Sequence, residues 1–229
     1  MTDAPPPFIA VEQLTFQYPE GDFYLHIPEL YIDGGSKAAV IGPSGSGKTT
    51  LINLLAGIVP AGSGQVRVHG TPLDQLGDAE RRRFRIANIG FVFQDFALLD
   101  YLTVFDNVLH PYRINRALRL TPQVRDHAAH LAAMMGLADK LKRHVHHLSQ
   151  GEKQRAAICR ALVTRPPLLL ADEPTGNLDP ANKSHILQLL FQYVDETGAT
   201  LVAVTHDHGL LGHFDRVVDF QAFDRPRRA

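Results

Sequence analysis

Gly42-Pro43-Ser44-Gly45-Ser46-Gly47-Lys48-Thr49 lies between two apolar runs, Ala38-Ala39-Val40-Ile41 before it and Leu51-Ile52-Asn53-Leu54-Leu55 after it. The first run predicts a buried parallel strand and the second a helix, so the local order is strand, glycine-rich loop, helix. Glycines let the backbone curl until successive N–H groups converge on one anion. The helix start adds unpaired N–H groups and the positive end of its dipole. In such a loop Lys48 reaches the β- and γ-phosphates of a nucleotide, and the Thr49 hydroxyl holds Mg²⁺. The competing reading is a chance Gly/Ser-rich loop, and the flanking strand and helix weigh against it.

Working outward, a small antiparallel sheet is expected before the loop. Phe8-Ile9-Ala10-Val11 and Leu14-Thr15-Phe16-Gln17-Tyr18 read as strands broken at Pro19-Glu20-Gly21, and Phe23-Tyr24-Leu25-His26-Ile27 as another, closed by Pro28. Gly64-Gln65-Val66-Arg67-Val68-His69-Gly70 resumes that sheet. Ile89-Gly90-Phe91-Val92-Phe93, Leu168-Leu169-Leu170-Ala171 and Leu201-Val202-Ala203-Val204-Thr205 read as further strands, with Val217-Val218-Asp219-Phe220 at an edge. Between Thr103 and about Met135 the pattern is helical. Strands alternating with helices around the glycine-rich loop predict an α/β core with a parallel sheet.

Composition narrows the class. The chain has 229 residues, enough for one large domain or two closely joined subdomains. Lys+Arg 23 against Asp+Glu 24 gives no broad nucleic-acid-binding surface. A single cysteine, Cys159, fits a reducing compartment. Met1 to Pro7 lacks the basic and apolar blocks of a signal peptide, and no apolar run approaches the ~20 residues of a membrane span. A soluble chain is expected, with any membrane role supplied by a partner.

Two further segments carry chemistry. Asp172-Glu173 ends the Leu168–Ala171 strand, and in open parallel sheets ligands bind at the carboxyl ends of strands. Asp172 is thereby placed to hold Mg²⁺, and Glu173, one residue on, to polarise an attacking water. The bland alternative is an ordinary acidic pair at a strand end. In Leu148-Ser149-Gln150-Gly151-Glu152-Lys153-Gln154-Arg155, Ser149 and Glu152 have the spacing of a capping box. A helix beginning there offers a second anion-binding N-terminus, which suggests two chains sharing one nucleotide.

With these motifs in order, the sequence resembles the ATPase subunit of an ABC transporter over nearly the whole chain. The Leu-Ser-x-Gly-Glu segment and Leu168 to Asp179 carry the resemblance, together with Gln94 and His206, each following a strand. One departure is Gln150, where the family's usual residue is a second glycine; a backbone N–H survives that change.

The resemblance implies a P-loop NTPase (RecA-like) core with a small antiparallel β subdomain and an inserted helical subdomain. Their boundaries would be about 1–93 and 160–229 for the core with its β subdomain, and about 94–159 for the insertion. It implies ATP hydrolysis with ATP bound by Gly42, Pro43, Ser44, Gly45, Ser46, Gly47, Lys48, Thr49 and Thr50. Tyr18 would stack on adenine, and Ser149, Gln150, Gly151 and Asp179 would reach the nucleotide across a dimer of two copies. The implied Mg²⁺ set is Thr49, Gln94 and Asp172, and the implied catalytic set Glu173, His206, Gln94 and Lys48. It further implies a separate transmembrane permease chain docking near Gln94, Phe96 and Leu98, in a groove with Phe93 and Leu99, and a place on the cytoplasmic face of the membrane.

Gly90 to Leu99, with Leu102-Thr103-Val104 and Glu173 to Asp179, resembles the branch that includes lipoprotein-release, macrolide-export, cell-division and peptide-resistance ATPases. The alternative, a soluble ABC ATPase acting on DNA or ribosomes, would need a long insertion or a second ATPase domain that 229 residues do not hold. His144, His146 and His147 lack a Cys or carboxylate to complete a metal site and read as surface polar chain. Arg81-Arg82-Arg83-Phe84-Arg85 and Arg225-Pro226-Arg227-Arg228 read as solvated basic faces, with anionic lipid headgroups as the other reading.

Overall fold

Alternation of buried and exposed side chains builds the first sheet in a computed structural model of the chain; residues 5–115, 117–176 and 180–223 are described. β1 (Ile9–Gln17), β2 (Tyr24–Ile32), β4 (Ser63–Val68) and β5 (Thr71–Pro72) pair antiparallel in the order β2-β1-β4-β5. The two expected N-terminal strands are one. Gln13 takes a left-handed φ of 47°, and the pairing of β1 with β4 shifts between Glu12 and Thr15, so a bulge replaces a break. Pro28 does not close β2 either. β2 is an edge strand, where a missing N–H costs no ladder bond, and pairing resumes on both sides of Pro28 at Glu12↔Glu29 and Leu14↔Ile27.

The second sheet is wholly parallel and nearly continuous in apolar sequence, as strands covered on both faces must be. It contains β3 (Lys37–Ile41), β6 (Ile89–Val92), β7 (Leu168–Asp172), β8 (Thr200–Val204) and β9 (Arg216–Asp219), in the order β6-β7-β8-β3-β9. β9 is the edge strand expected from the sequence. α1 (Lys48–Leu55) follows β3 directly through the glycine-rich loop. Its Leu51, Ile52, Leu54 and Leu55 join a core shared with the antiparallel sheet.

α2 (Asp78–Asn88) carries the basic run, and two of its arginines face inward. Arg85 donates to the Ala56 and Gly57 carbonyls at the end of α1, 3.1 and 3.0 Å away, and Arg81 donates to the Leu76 carbonyl. The Arg85 bonds satisfy carbonyls that the end of α1 leaves unpaired. Arg82 pairs at the surface with Asp78. The basic tail beyond residue 223 lies outside the described residues.

A second hydrophobic cluster gathers α3 (Val104–Val108), α5 (Pro122–Met134) and α6 (Gln150–Leu162) with the far face of the parallel sheet. α4 (His110–Ile114) follows α3, and α7 (Pro180–Thr197) covers the sheet before β8. α6 runs unbroken through residue 160, so the boundary expected there falls inside a helix. α6 packs against α3, α5 and β6, with Ala161 near its end beside Gly90 of β6. Cys159 is buried in α6, where burial pushes its thiol up to about 12. No helix among the described residues is long and apolar enough to cross a membrane.

Candidate active site

The loop after β3 curls because its glycines occupy backbone that side chains disfavour. Gly47 has φ 108°, and a Cβ there would stand 2.9 Å from the Phe23 ring. Gly42 has φ 147°, and its Cβ would meet Phe220 at 2.9 Å. No side chain caps the start of α1, so its first N–H groups are left to whatever enters the loop. Lys48 is buried, and its ammonium donates to the Gly42 and Pro43 carbonyls, each at 2.8 Å. The Ser46 hydroxyl is buried with no hydrogen-bond partner. An orphaned hydroxyl, an uncapped helix start and a buried ammonium around one loop are the chemistry that a polyphosphate satisfies.

This loop forms one wall of a cavity of about 560 Å³. Gln94, Glu173 and His206 form the other walls, each just beyond the carboxyl end of a parallel strand: β6, β7 and β8. Adjacent strands in one register bring three positions distant in sequence to one mouth. Asp172 is buried behind Thr49, and its carboxyl is raised above the usual range, chiefly by burial. A hydrogen bond with Thr49 and the charge of Lys48 oppose that rise. The Thr49 hydroxyl, the Asp172 carboxylate and the Gln94 amide are all oxygen donors, the set a hard cation such as Mg²⁺ requires.

Glu173 takes φ 46°, a left-handed conformation unusual for a residue with a side chain. Its N–H donates to the Val204 carbonyl, and its own carbonyl accepts from Gly176. These bonds hold it there and turn its carboxylate 3.2 Å from the Nδ1 of His206. Such strain costs on the order of 1–3 kcal/mol and persists only where the surroundings enforce it. Glu173→Gly is therefore expected to raise the melting temperature by a few degrees while removing the carboxylate. A calorimetric scan showing an unchanged or lowered melting temperature would contradict that strain.

Tyr18 lies beside the loop but is not part of the cavity wall. Its hydroxyl is 3.3 Å from Thr50 Oγ1, and its ring packs edge-on against Phe16 and tilted against Phe23. Phe23 does line the cavity, although the sequence reading did not single it out. Hairpin register was the available signal, since Gln17↔Tyr24 pairing makes Tyr18 and Phe23 neighbours across the turn.

Ser149 caps α6 as expected. Its hydroxyl accepts from Glu152 N at 3.3 Å, and Glu152 accepts from Ser149 N at 2.8 Å. Lys140 pairs with Glu152 at 2.8 Å, and that bond heads the causes that lower the Glu152 carboxyl. Ser149, Gln150 and Gly151 do not line the cavity formed by the chain's own loop. Asn177, Leu178 and Asp179 lie outside the described residues.

After Gln94, Leu98 is partly buried against the helical core, and Phe96 and Leu99 are half-buried. An apolar groove lies beside Phe93. It is a cleft of about 340 Å³ between α2, β6 and α4, with Ile86, Phe91, Phe93, Pro111 and Ile114 in its walls. His144, His146 and His147 are exposed; His146 stacks on His144 and lies tilted against His147, and no metal-binding cluster occurs among the described residues.

The ABC transporter family matches residues 25–176, which include the glycine-rich loop, Gln94, the Ser149 segment and Glu173. The chain belongs to the ABC transporter family. Lipoprotein-releasing system ATP-binding protein LolD of Chromohalobacter salexigens is 42% identical over 90% of this chain and 88% of its own length. Macrolide export ATP-binding/permease protein MacB of Rhodopirellula baltica is 44% identical over 82% of this chain but only 28% of its own length. Among solved structures, the ATP-binding cassette MJ0796, a dimer in a post-hydrolysis state with ADP and Pi, has a TM-score of 0.84 and 32% identity. That similarity covers 92% of this chain and 93% of the other. This ABC chain is thus an ATP-binding ATPase of the kind that serves membrane transporters, with ATP as its nucleotide and Mg²⁺ as the accompanying ion.

Proposed function

We propose that two copies of this chain close on ATP and drive a separate permease chain in a LolD- or MacB-like system, in lipoprotein release, export or mechanotransmission across the membrane. The observation that carries this reading is the convergence of Lys48, Gln94, Glu173 and His206 on one cavity from which the Ser149 segment is absent. A nucleotide seated there has one face toward its own loop. Its other face awaits the capped start of α6 from a second copy. Gln150, at the start of α6, is exposed, and a helix N-terminus suits an anion.

Roles follow from the geometry. Lys48 and the α1 N-terminus hold the phosphates, and Tyr18 with Phe23 offers aromatic surface to the base. Thr49, Asp172 and Gln94 would hold Mg²⁺, which when bound neutralises phosphate charge. Glu173 accepts a proton from the attacking water. His206, 3.2 Å from that carboxylate, orients it and reaches the γ-phosphate. The core with its antiparallel sheet, about 1–93 and 160–229, and a helical unit of about 94–159 would be joined rigidly through α6, which crosses that boundary unbroken.

The permease would dock in the cleft between these units, which adjoins Gln94 through Phe93. An amphipathic helix laid in an apolar groove is a common recognition mode. Ile114 lines this cleft and is 64% exposed, more than a core side chain tolerates without a partner. Ile114→Glu is expected to lower recovery of the co-purifying membrane chain at least about tenfold, since a charge desolvated in an apolar contact costs more than 1.4 kcal/mol. Fluorescent-nucleotide affinity should stay unchanged. Leu98→Glu should instead lower thermal stability, because Leu98 is partly buried against the helical core. Full recovery of the membrane chain with Ile114→Glu would remove the cleft from the docking surface.

A further inference from the structure

Gln94 stands in a turn closed by a Phe96 N–H to Phe93 carbonyl bond of 3.1 Å. The next two residues are both left-handed although neither is glycine: φ is 64° at Phe96 and 48° at Ala97. Bulky side chains avoid this region, so something must hold the backbone there. The holder is one side chain. Arg160, on α6, donates from Nη2 to the Phe96 carbonyl at 2.7 Å and from Nη1 to the Ala97 carbonyl. A guanidinium presents parallel donors on a rigid fork, and this fork spans two successive carbonyls turned the same way.

We propose that Arg160 is a positioning residue that sets Gln94 for the reaction by clamping the Phe96–Ala97 backbone. The inference rests on the role given to Gln94 above. Three observations support it. Arg160 is drawn from α6, the helix that Ser149 caps, so the clamp ties the turn to the element expected to meet the second nucleotide. Arg160 also lines the cleft proposed for the permease, so an occupant there touches the clamp directly. Finally, the far end of the segment is secured separately. Asn107, fully buried, accepts from Leu99 N at 2.8 Å and donates to the Leu99 carbonyl at 3.0 Å. With Leu99 fixed by α3, the stretch nearest Gln94 is held by the Phe96–Phe93 backbone bond and by Arg160, its one side-chain restraint among the bonds described. Burial lowers the Arg160 guanidinium to about 10, opposed by the charge of Asp95, and it remains a cation at neutral pH.

A double-mutant cycle tests the clamp on the full-length chain. Arg160→Gln is expected to lower kcat about 10- to 100-fold, the scale of a small misplacement of a catalytic group, with ATP affinity in EDTA within about twofold. Arg160→Lys, which keeps the charge but not the fork, should recover only part of the rate. Amide exchange over residues 95–98 should quicken at least about tenfold in Arg160→Gln, while exchange at Leu99 stays slow. In a Gln94→Ala background, Arg160→Gln should then cost less than about twofold more. Losses that multiply in the double variant, unchanged exchange over 95–98, or an equal fall in ATP affinity would each overturn the clamp. Full activity in Gln94→Ala alone would overturn the Gln94 role, and the clamp with it.

Discussion

Glu173→Gln is expected to slow ATP turnover by about 10²–10⁴-fold, the usual contribution of a positioned base, while leaving ATP affinity within about twofold. The geometry makes this substitution unusually clean. Glu173 is held at φ 46° by backbone bonds to Val204 and Gly176, which the exchange leaves untouched. Glutamine is no more at ease there than glutamate, so the backbone strain is the same in both proteins. An amide oxygen can still accept from His206, so the side chain keeps its direction. What disappears is the ability to take a proton. Binding relies on Lys48 and the α1 N-terminus, on the other wall of the cavity, and should persist. With ATP present the variant should accumulate as a dimer, because the step that resets the interface is lost. Single-turnover hydrolysis and light scattering with ATP check both halves. Turnover near that of the wild type, with the permease present, would exclude Glu173 as the base.

Lys48→Ala should lower nucleotide affinity at least about 100-fold. Charge-assisted hydrogen bonds contribute about 1.5–3 kcal/mol each, and two to phosphate oxygens exceed the 2.8 kcal/mol that such a loss represents. Lys48 is 9% exposed, so water screens its charge little. Its bonds to the Gly42 and Pro43 carbonyls also brace the loop. Lys48→Met loses the charge and both carbonyl bonds but keeps the apolar stem. Both variants should lose affinity in a fluorescence titration, and Lys48→Ala should lose more thermal stability, because it also loses the packing of the stem. Unchanged affinity in Lys48→Met would mean that the phosphates lie elsewhere.

Much of the fold is legible in the sequence because it is decided locally. Apolar runs bounded by glycine and proline mark β3, β7 and β8, and alternation marks β1 and β4. The capping box at Ser149 is a contact over three residues and needs no tertiary support. Local signals misled where a neighbour strand changed the cost. Pro28 breaks a central strand but not an edge one, and Gln13 can bulge because β4 shifts register around it.

The phosphate loop is therefore the sequence's own statement about this protein: glycine conformation, helix dipole and lysine all act within one short stretch. The rest of the site was settled by sheet order, which depends on contacts between residues far apart in the chain. Only the order β6-β7-β8-β3-β9 brings Gln94, Glu173 and His206 around that loop. Tertiary packing likewise set Leu98 against the helical core and left Ile114 exposed, turned Arg85 of a basic run onto carbonyls at the end of α1, and carried Arg160 to the backbone beside Gln94. Apolar or charged character is written in each residue, but its partner is chosen by the folded chain, since burial and hydrogen-bond satisfaction are properties of the whole assembly of elements.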